Sequence, residues 1–230
     1  VVNLGGYIDH RESPLKSLKI IKNHYQSTIN LIALNKTKLK RYIHIGTRDE
    51  YGENKSPIYE SFNEDPKSTY SLAKSMSTNL LLMLHKEYKF PVTILRFFLV
   101  YGPYQKKDRL IPYVISNSLK DKIIYLSHGK QIRDFCYVED VVEAIILCLK
   151  NKKSLGEIFN IGYGSPISVK QIVKKIISIT GKGKPQFNYL KIRSKENLRL
   201  YPSIKKITKK LGWKPRTSIY NGLVKTVNFY

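Results

Sequence analysis

The chain has 230 residues, 42% of them hydrophobic, enough to bury a core as one large domain or two small ones. Its formal net charge is +24, but the charge is spread along the whole chain and Lys far outnumbers Arg. That pattern implies a general attraction to anionic ligands and argues against specific nucleic-acid recognition, and no apolar run approaches the roughly 18 residues of a membrane span.

In chain order, Val1–Leu4 reads as a buried strand that ends in Gly5-Gly6, where a backbone has room to approach a ligand closely. Pro14–Leu34 carries Leu18, Ile21, Tyr25, Ile29 and Ile32 at helical spacing. Arg41–Ile45 is a second strand, running through Gly46 into Thr47 and a polar loop. Pro66–Tyr88 is an amphipathic helix marked by Leu72, Met76, Leu80, Met83 and Leu84. Val92–Phe97 is a strand that continues through Val100 into a tight Gly102-Pro103 turn. Glu139–Leu149 is a helix with Glu139, Asp140 and Glu143 near its positive end. Ile158–Ile161 is a strand, followed by helices over Ser168–Thr180, Ser203–Leu211 (stopped by Gly212) and from Ile219 onwards. Short β-rich runs alternating with longer helical ones predict an α/β fold with a mostly parallel sheet.

Two further residue types bound the chemistry. Cys136 and Cys148 lie in apolar contexts and read as buried thiols of a reducing compartment, which suggests a cytoplasmic protein. The five His are unclustered, so no metal site is expected.

Tyr70 and Lys74 stand four residues apart at the start of a helix, on one face and one turn from each other. A cation beside a phenol favours the phenolate, and the expectation is a Tyr70 pKa lowered towards working pH. Such a tyrosine moves a proton on or off a substrate hydroxyl, as alcohol–ketone redox chemistry requires. The alternative is a solvated helix face in a Lys-rich chain. Thr47 falls at the carboxyl end of its strand, as do Tyr70 and Lys74 in the expected sheet, where ligands of open α/β sheets bind. It also reads as a plain strand-end hydroxyl.

These motifs, in type, order and spacing, resemble the extended short-chain dehydrogenase/reductase family, which contains nucleotide-sugar epimerases, dehydratases and ketoreductases. The resemblance runs over essentially the whole chain. It implies an N-terminally truncated Rossmann-like parallel sheet with a smaller C-terminal substrate-binding domain. Residues 1–105 with 139–163 would form the dinucleotide-binding core, and 106–138 with 164–230 the sugar-nucleotide part. NAD or NADP would be the cofactor and a nucleoside-diphosphate sugar the substrate. Tyr70 would be the acid/base, Lys74 would hold the nicotinamide ribose, and Thr47 would bond the sugar C4 oxygen. Leu4, Gly5 and Gly6 would approach the cofactor, and the stretch from Phe97 to Val100 would pass beneath its nicotinamide.

Gln131-Ile132-Arg133-Asp134-Phe135-Cys136-Tyr137-Val138-Glu139-Asp140 resembles the family's diphosphate motif, with Arg133 as the gripping residue. A structural bridge from Arg133 to Asp134 or Asp140 is the competing reading. Arg193 resembles the second diphosphate arginine, and Arg109 lies in a stretch resembling the loop that leads into the substrate domain. The helices Pro14–Leu34 and Pro66–Tyr88 resemble the pair that forms the family's homodimer interface.

Two departures matter. Family 4,6-dehydratases carry an Asp-Glu or Ser-Glu pair directly after the catalytic Thr, but here Arg48-Asp49 occupies that place and the first acid of the Asp-Glu form is gone, which disfavours dehydration. A 4-epimerase or 4-keto-sugar reductase remains. The Gly-rich phosphate loop is absent from the 230 residues, so the sequence predicts a truncated or split product that binds dinucleotide poorly alone. A non-catalytic remnant that binds sugar nucleotides or a partner subunit is the alternative.

Overall fold

Val92–Phe97 is a near-continuous apolar run, and it lies inside a parallel sheet with a neighbour on either side. The computed structural model describes residues 1–6, 14–34, 39–191 and 197–230. In chain order the elements are β1 (Val2–Asn3), α1 (Pro14–Ile21), a π turn (Lys22–Gln26), α2 (Ser27–Leu34), β2 (Tyr42–Thr47) and a 3-10 turn (Arg48–Tyr51). There follow α3 (Thr69–Tyr88), β3 (Val92–Phe97), β4 (Leu99–Tyr101), α4 (Leu110–Ser118), β5 (Ile123–Tyr125), β6 (Ile132–Arg133), β7 (Phe135–Tyr137) and α5 (Val138–Lys150). The last group is β8 (Ile158–Ile161), β9 (Ile167–Ser168), α6 (Val169–Thr180), β10 (Lys184–Gln186), β11 (Arg199–Leu200), α7 (Lys205–Leu211) and α8 (Ile219–Phe229).

The main sheet has the order β1-β2-β3-β8 with every pairing parallel. β2 and β3 pair over their full length, from Tyr42–Val92 to Thr47–Phe97, so both end at the same rim. β4 pairs with β7, while β5 with β10 and β6 with β9 and β11 form two small sheets. The predicted α/β class with a parallel sheet therefore holds. One apolar cluster joins Ile43, Leu95 and Phe159 of the main sheet to Val141 and Ala144 of α5 and to Trp213. A second gathers Val114 and Ile115 of α4, Ile172 and Ile176 of α6, and Leu223 of α8. Both cysteines are buried free thiols. Among the described residues no helix is long and apolar enough to cross a membrane.

The structure corrects several boundaries. The helix expected over Pro14–Leu34 is interrupted at Lys22–Gln26, where the Ser27 N–H reaches back to the Lys22 carbonyl. Hydroxyl donors help to open the turn: Ser27 Oγ bonds the Asn23 carbonyl at 2.7 Å and Thr28 Oγ1 the His24 carbonyl at 2.8 Å. α3 begins at Thr69, not Pro66, because Ser68 caps it: Ser68 Oγ accepts from the Ser71 N–H at 3.2 Å while Ser71 Oγ accepts from the Ser68 N–H.

Arg96 of β3 is the largest fully buried side chain. It pairs with Glu50 at 2.8 Å, pairs also with Glu64, and lies over the Tyr51 ring. Burial opposes its charge, but Glu50, Tyr51 and Glu64 outweigh that and hold the guanidinium pKa above its usual value. Removing it would leave two carboxylates without their cation. Arg96→Met is expected to cost about 3–5 kcal/mol in urea unfolding, and Arg96→Met with Glu50→Gln to cost less than the single change.

Candidate functional site

Thr47 is the last residue of β2, and its position is fixed from both sides. Its N–H donates to Glu50 Oε1 at 2.7 Å, while its Oγ1 accepts from the Asp49 N–H at 3.3 Å and lies 3.4 Å from Asp49 Oδ2. Tyr70 and Lys74, one turn apart on α3, are 5% and 6% exposed. They line the same cleft as Thr47, so the solvated-face alternative is excluded. The Thr47 hydroxyl lies close enough to the Tyr70 phenol to favour its ionised form. Lys74 Nζ donates to the Ile45 carbonyl at 2.8 Å, two residues before Thr47.

This cleft, of about 440 Å³, brings together nearly every residue assigned from sequence to the cofactor and the chemistry. Leu4, Gly5 and Gly6 line it from the end of β1, and Phe97 and Val100 from the end of β3 and β4. Gly6 has φ +117°, and a Cβ there would collide with the His24 ring. Only glycine suits that position. A bare backbone, an apolar strip and a buried ammonium at the carboxyl ends of parallel strands suit a nicotinamide dinucleotide.

Arg109 lines this cleft and also a second one, of about 410 Å³, which contains Arg133, Gln131, Tyr125 and Lys191. The two clefts share Leu99, Val100, Gln105 and Arg109. Arg133 is buried, and its Nη1 donates to the Ile132 carbonyl at 2.9 Å. Asp134 and Asp140 hold backbone in place: Asp134 accepts from the Gly164 N–H at 2.7 Å, and Asp140 from the Arg216 N–H at 3.0 Å and the Thr217 N–H. Burial raises the Asp134 pKa to about 6 against these N–H groups. Arg193 lies outside the described residues.

The expected lowering of the Tyr70 pKa is not what this state of the protein shows. Burial pushes the phenol up to about 12, and Asp49 and Glu50 add to the rise against the nearby Thr47 hydroxyl and the Arg48 charge. Lys74 spends a donor on the Ile45 carbonyl, and burial lowers its own pKa to about 8 in spite of the charge on Glu50. Desolvation outweighs the pairing that helical spacing alone suggested.

Three residues of this region escaped the sequence reading. His24, held in the π turn, lines the cleft with its ring centroid 5.1 Å from that of Tyr70, edge to face. Nothing local in the sequence marked it. Glu50 and Arg96 lie behind the cleft, and for Glu50 there was a signal: Thr47 followed three residues on by Glu is a capping-box pattern.

A family model described as NAD dependent epimerase/dehydratase family matches residues 1–162, and the chain belongs to this family. It is 31% identical to the dTDP-D-glucose 4,6-dehydratase of Homo sapiens, over 90% of this chain and 61% of that protein. It is also 31% identical to the UDP-glucuronate 4-epimerase of Thermodesulfobacterium geofontis (strain OPF15), over 100% of this chain and 71% of that protein. A crystal structure of UDP-glucuronic acid 4-epimerase from Bacillus cereus, in complex with UDP-glucuronic acid and NAD, superposes with a TM-score of 0.88 at 31% identity. That match covers 98% of this chain and 73% of the other. The chain thus spans less than two thirds of the length of the human relative.

The Lys74 shift sets a pH dependence of stability. A lysine whose folded pKa is near 8 rather than 10.5 leaves the unfolded chain binding more protons in between. Its destabilising effect is therefore complete below pH 8 and is relieved as pH rises towards 10.5. Between about pH 7.5 and 9.5 the unfolding free energy of the native chain should gain roughly 1–2 kcal/mol relative to that of Lys74→Met. Parallel urea titrations at the two pH values measure the difference, and equal slopes for both proteins would refute it.

Proposed function

We propose that the site carries NAD(P)-dependent hydride chemistry at C4 of a nucleotide-linked sugar, as a 4-epimerase or a 4-keto-sugar reductase. The observation behind this reading is that Thr47, Tyr70 and Lys74, all buried, line one cleft at the carboxyl end of β2. The solved complex of the B. cereus relative with UDP-glucuronic acid and NAD supports the cofactor and the substrate class. The nicotinamide, when bound, supplies the hydride acceptor and donor.

Thr47 holds the C4 oxygen by hydrogen bond and Tyr70 exchanges the proton on that oxygen. With its pKa near 12 in this state, Tyr70 keeps its proton at neutral pH and can give it to a C4 ketone. Lys74 holds the nicotinamide ribose, while Gly5, Gly6 and the strip from Phe97 to Val100 bound the dinucleotide. Arg109 and Arg133, with Arg193, take the sugar nucleotide's diphosphate. In this reading residues 1–105 with 139–163 bind the dinucleotide, and 106–138 with 164–230 the sugar nucleotide. Dehydration is disfavoured because Arg48 replaces the first acid of the pair that follows the catalytic Thr.

A panel of UDP- and dTDP-sugars incubated with the chain and NAD or NADPH, with products resolved by NMR, tests the reaction. Tyr70→Phe should lower turnover about 10²- to 10⁴-fold while leaving sugar-nucleotide affinity nearly unchanged. Binding without turnover of any member would favour the non-catalytic binder instead.

The homodimer belongs to the same proposal. α1 and α3 pack together and leave Leu18, Leu72 and Met83 exposed, three apolar side chains on one helix pair. Leu72→Glu with Met83→Glu should convert a sedimenting dimer to monomer. A chain that is already monomeric at high micromolar concentration would overturn the dimer.

A further inference from the structure

Arg48 is a cation of the cleft, next to Thr47 in the chain, to which the proposed reaction gives no task. It directly follows Thr47, lines the cleft, and is only about one-quarter exposed. Its guanidinium is poorly satisfied. Nε lies 3.5 Å from Asp49 Oδ1, a long single contact, and Nη1 is buried with no hydrogen-bond partner. An arginine fork is built for two parallel bonds to a carboxylate, and a buried guanidinium nitrogen with no acceptor is costly. Asp49 does not supply the second bond, since its other oxygen lies 3.4 Å from Thr47 Oγ1.

The surroundings have positive charge to spare. The residues lining the cleft include Arg48, Lys74, Lys106 and Arg109 against the single acid Asp49. Lys74 is bonded to the Ile45 carbonyl, and Arg109 borders the second cleft, where the diphosphate is assigned. Arg48 is left in the same cleft as Thr47 with an unpartnered donor. If Thr47 holds the C4 oxygen, the long side chain of Arg48 is within reach of the substituents on the neighbouring carbons, C3 and C5. A C3 hydroxyl is neutral and well served by water. A carboxylate on C5 supplies both the acceptor oxygens and the charge.

We infer that Arg48 is a specificity-determining residue and that the sugar of the substrate is a uronate, whose C6 carboxylate the Arg48 guanidinium binds. The inference rests on the sugar-nucleotide reading above and narrows it from any nucleotide-linked hexose to an acidic one. It also gives a physical reason for a basic residue where the Asp-Glu form of the dehydratases has an acid. A cation there stabilises a carboxylate on the sugar, whereas elimination of water from C6 requires a hydroxyl at that carbon.

Isothermal titration of the chain with UDP-glucuronate and UDP-glucose, each against native protein, Arg48→Gln and Arg48→Lys, tests this. The native chain should bind the acid at least tenfold more tightly than the neutral sugar. Arg48→Gln should lose about 10- to 100-fold towards UDP-glucuronate and change less than about twofold towards UDP-glucose. Arg48→Lys, which keeps the charge but not the fork, should fall between the two and controls for misfolding, as do unchanged circular dichroism and thermal midpoints. Equal affinity of the native chain for both sugars overturns the inference and leaves the proposed function standing. So does a preference for the acid that survives in Arg48→Gln. Failure of the native chain to bind either sugar nucleotide instead overturns the sugar-nucleotide reading itself, and this inference with it.

Discussion

The ion pair between Arg96 and Glu50 is the constraint on which the geometry of the site depends. Arg96 stands on β3 opposite Gly46 of β2, and Glu50 lies in the 3-10 turn that follows Thr47. One Glu50 oxygen accepts the Thr47 N–H, and the other takes both the Arg96 guanidinium and Thr78 Oγ1 of α3 at 2.8 Å. A single carboxylate thus connects the strand end that carries Thr47 with the helix that carries Tyr70 and Lys74. Glu64 extends the connection, since it pairs with Arg96 and accepts from Ser75 and from Asn79 of α3, the latter at 2.8 Å. Gly46 leaves room for the arrangement, because a Cβ there would press on the Glu50 carboxylate and the Arg96 stem.

Such a network is poor evidence for stability. Burial raises the Glu50 pKa against the attraction of Arg96, so desolvation consumes much of what the pairing gives. A packed apolar trio would hold these elements together as well, but it would not direct them. Hydrogen bonds fix orientation where dispersion fixes only distance. Two hydroxyls and an ammonium that line one cleft are held in orientation by this charged cluster in the core next to it.

How much of this was legible in the chain depended on how local each cause was. Val92–Phe97 and Ile158–Ile161 were read to the residue because most of their residues are β-branched, Leu or Phe, as in a strand covered on both faces. The stop at Gly212 was legible because it takes the left-handed conformation, with φ +75°. Leu4, Gly5, Gly6, Phe97 and Val100 were singled out through motif order, and they line one cleft with Tyr70. The strands β6, β9 and β11 were not legible, since each has two residues and exists only through partners such as Ile132–Ser168. The π turn was hidden because apolar spacing continues across it.

The Tyr70 pKa shows a deeper limit. Spacing on a helix tells which side chains are neighbours but not how much water reaches them. The lysine's effect on the phenol was argued from proximity, whereas the outcome was set by burial beneath β2 and the π turn and by the carbonyl of Ile45, which captures the ammonium. At pH 7 the phenol keeps its proton, while the amine, which gives up its own near pH 8, is still mostly an ammonium. A neutral phenol spares the cleft a second buried charge beside Lys74, since a phenolate would also have to be desolvated. Burial, not helical spacing, therefore sets the protonation of both groups.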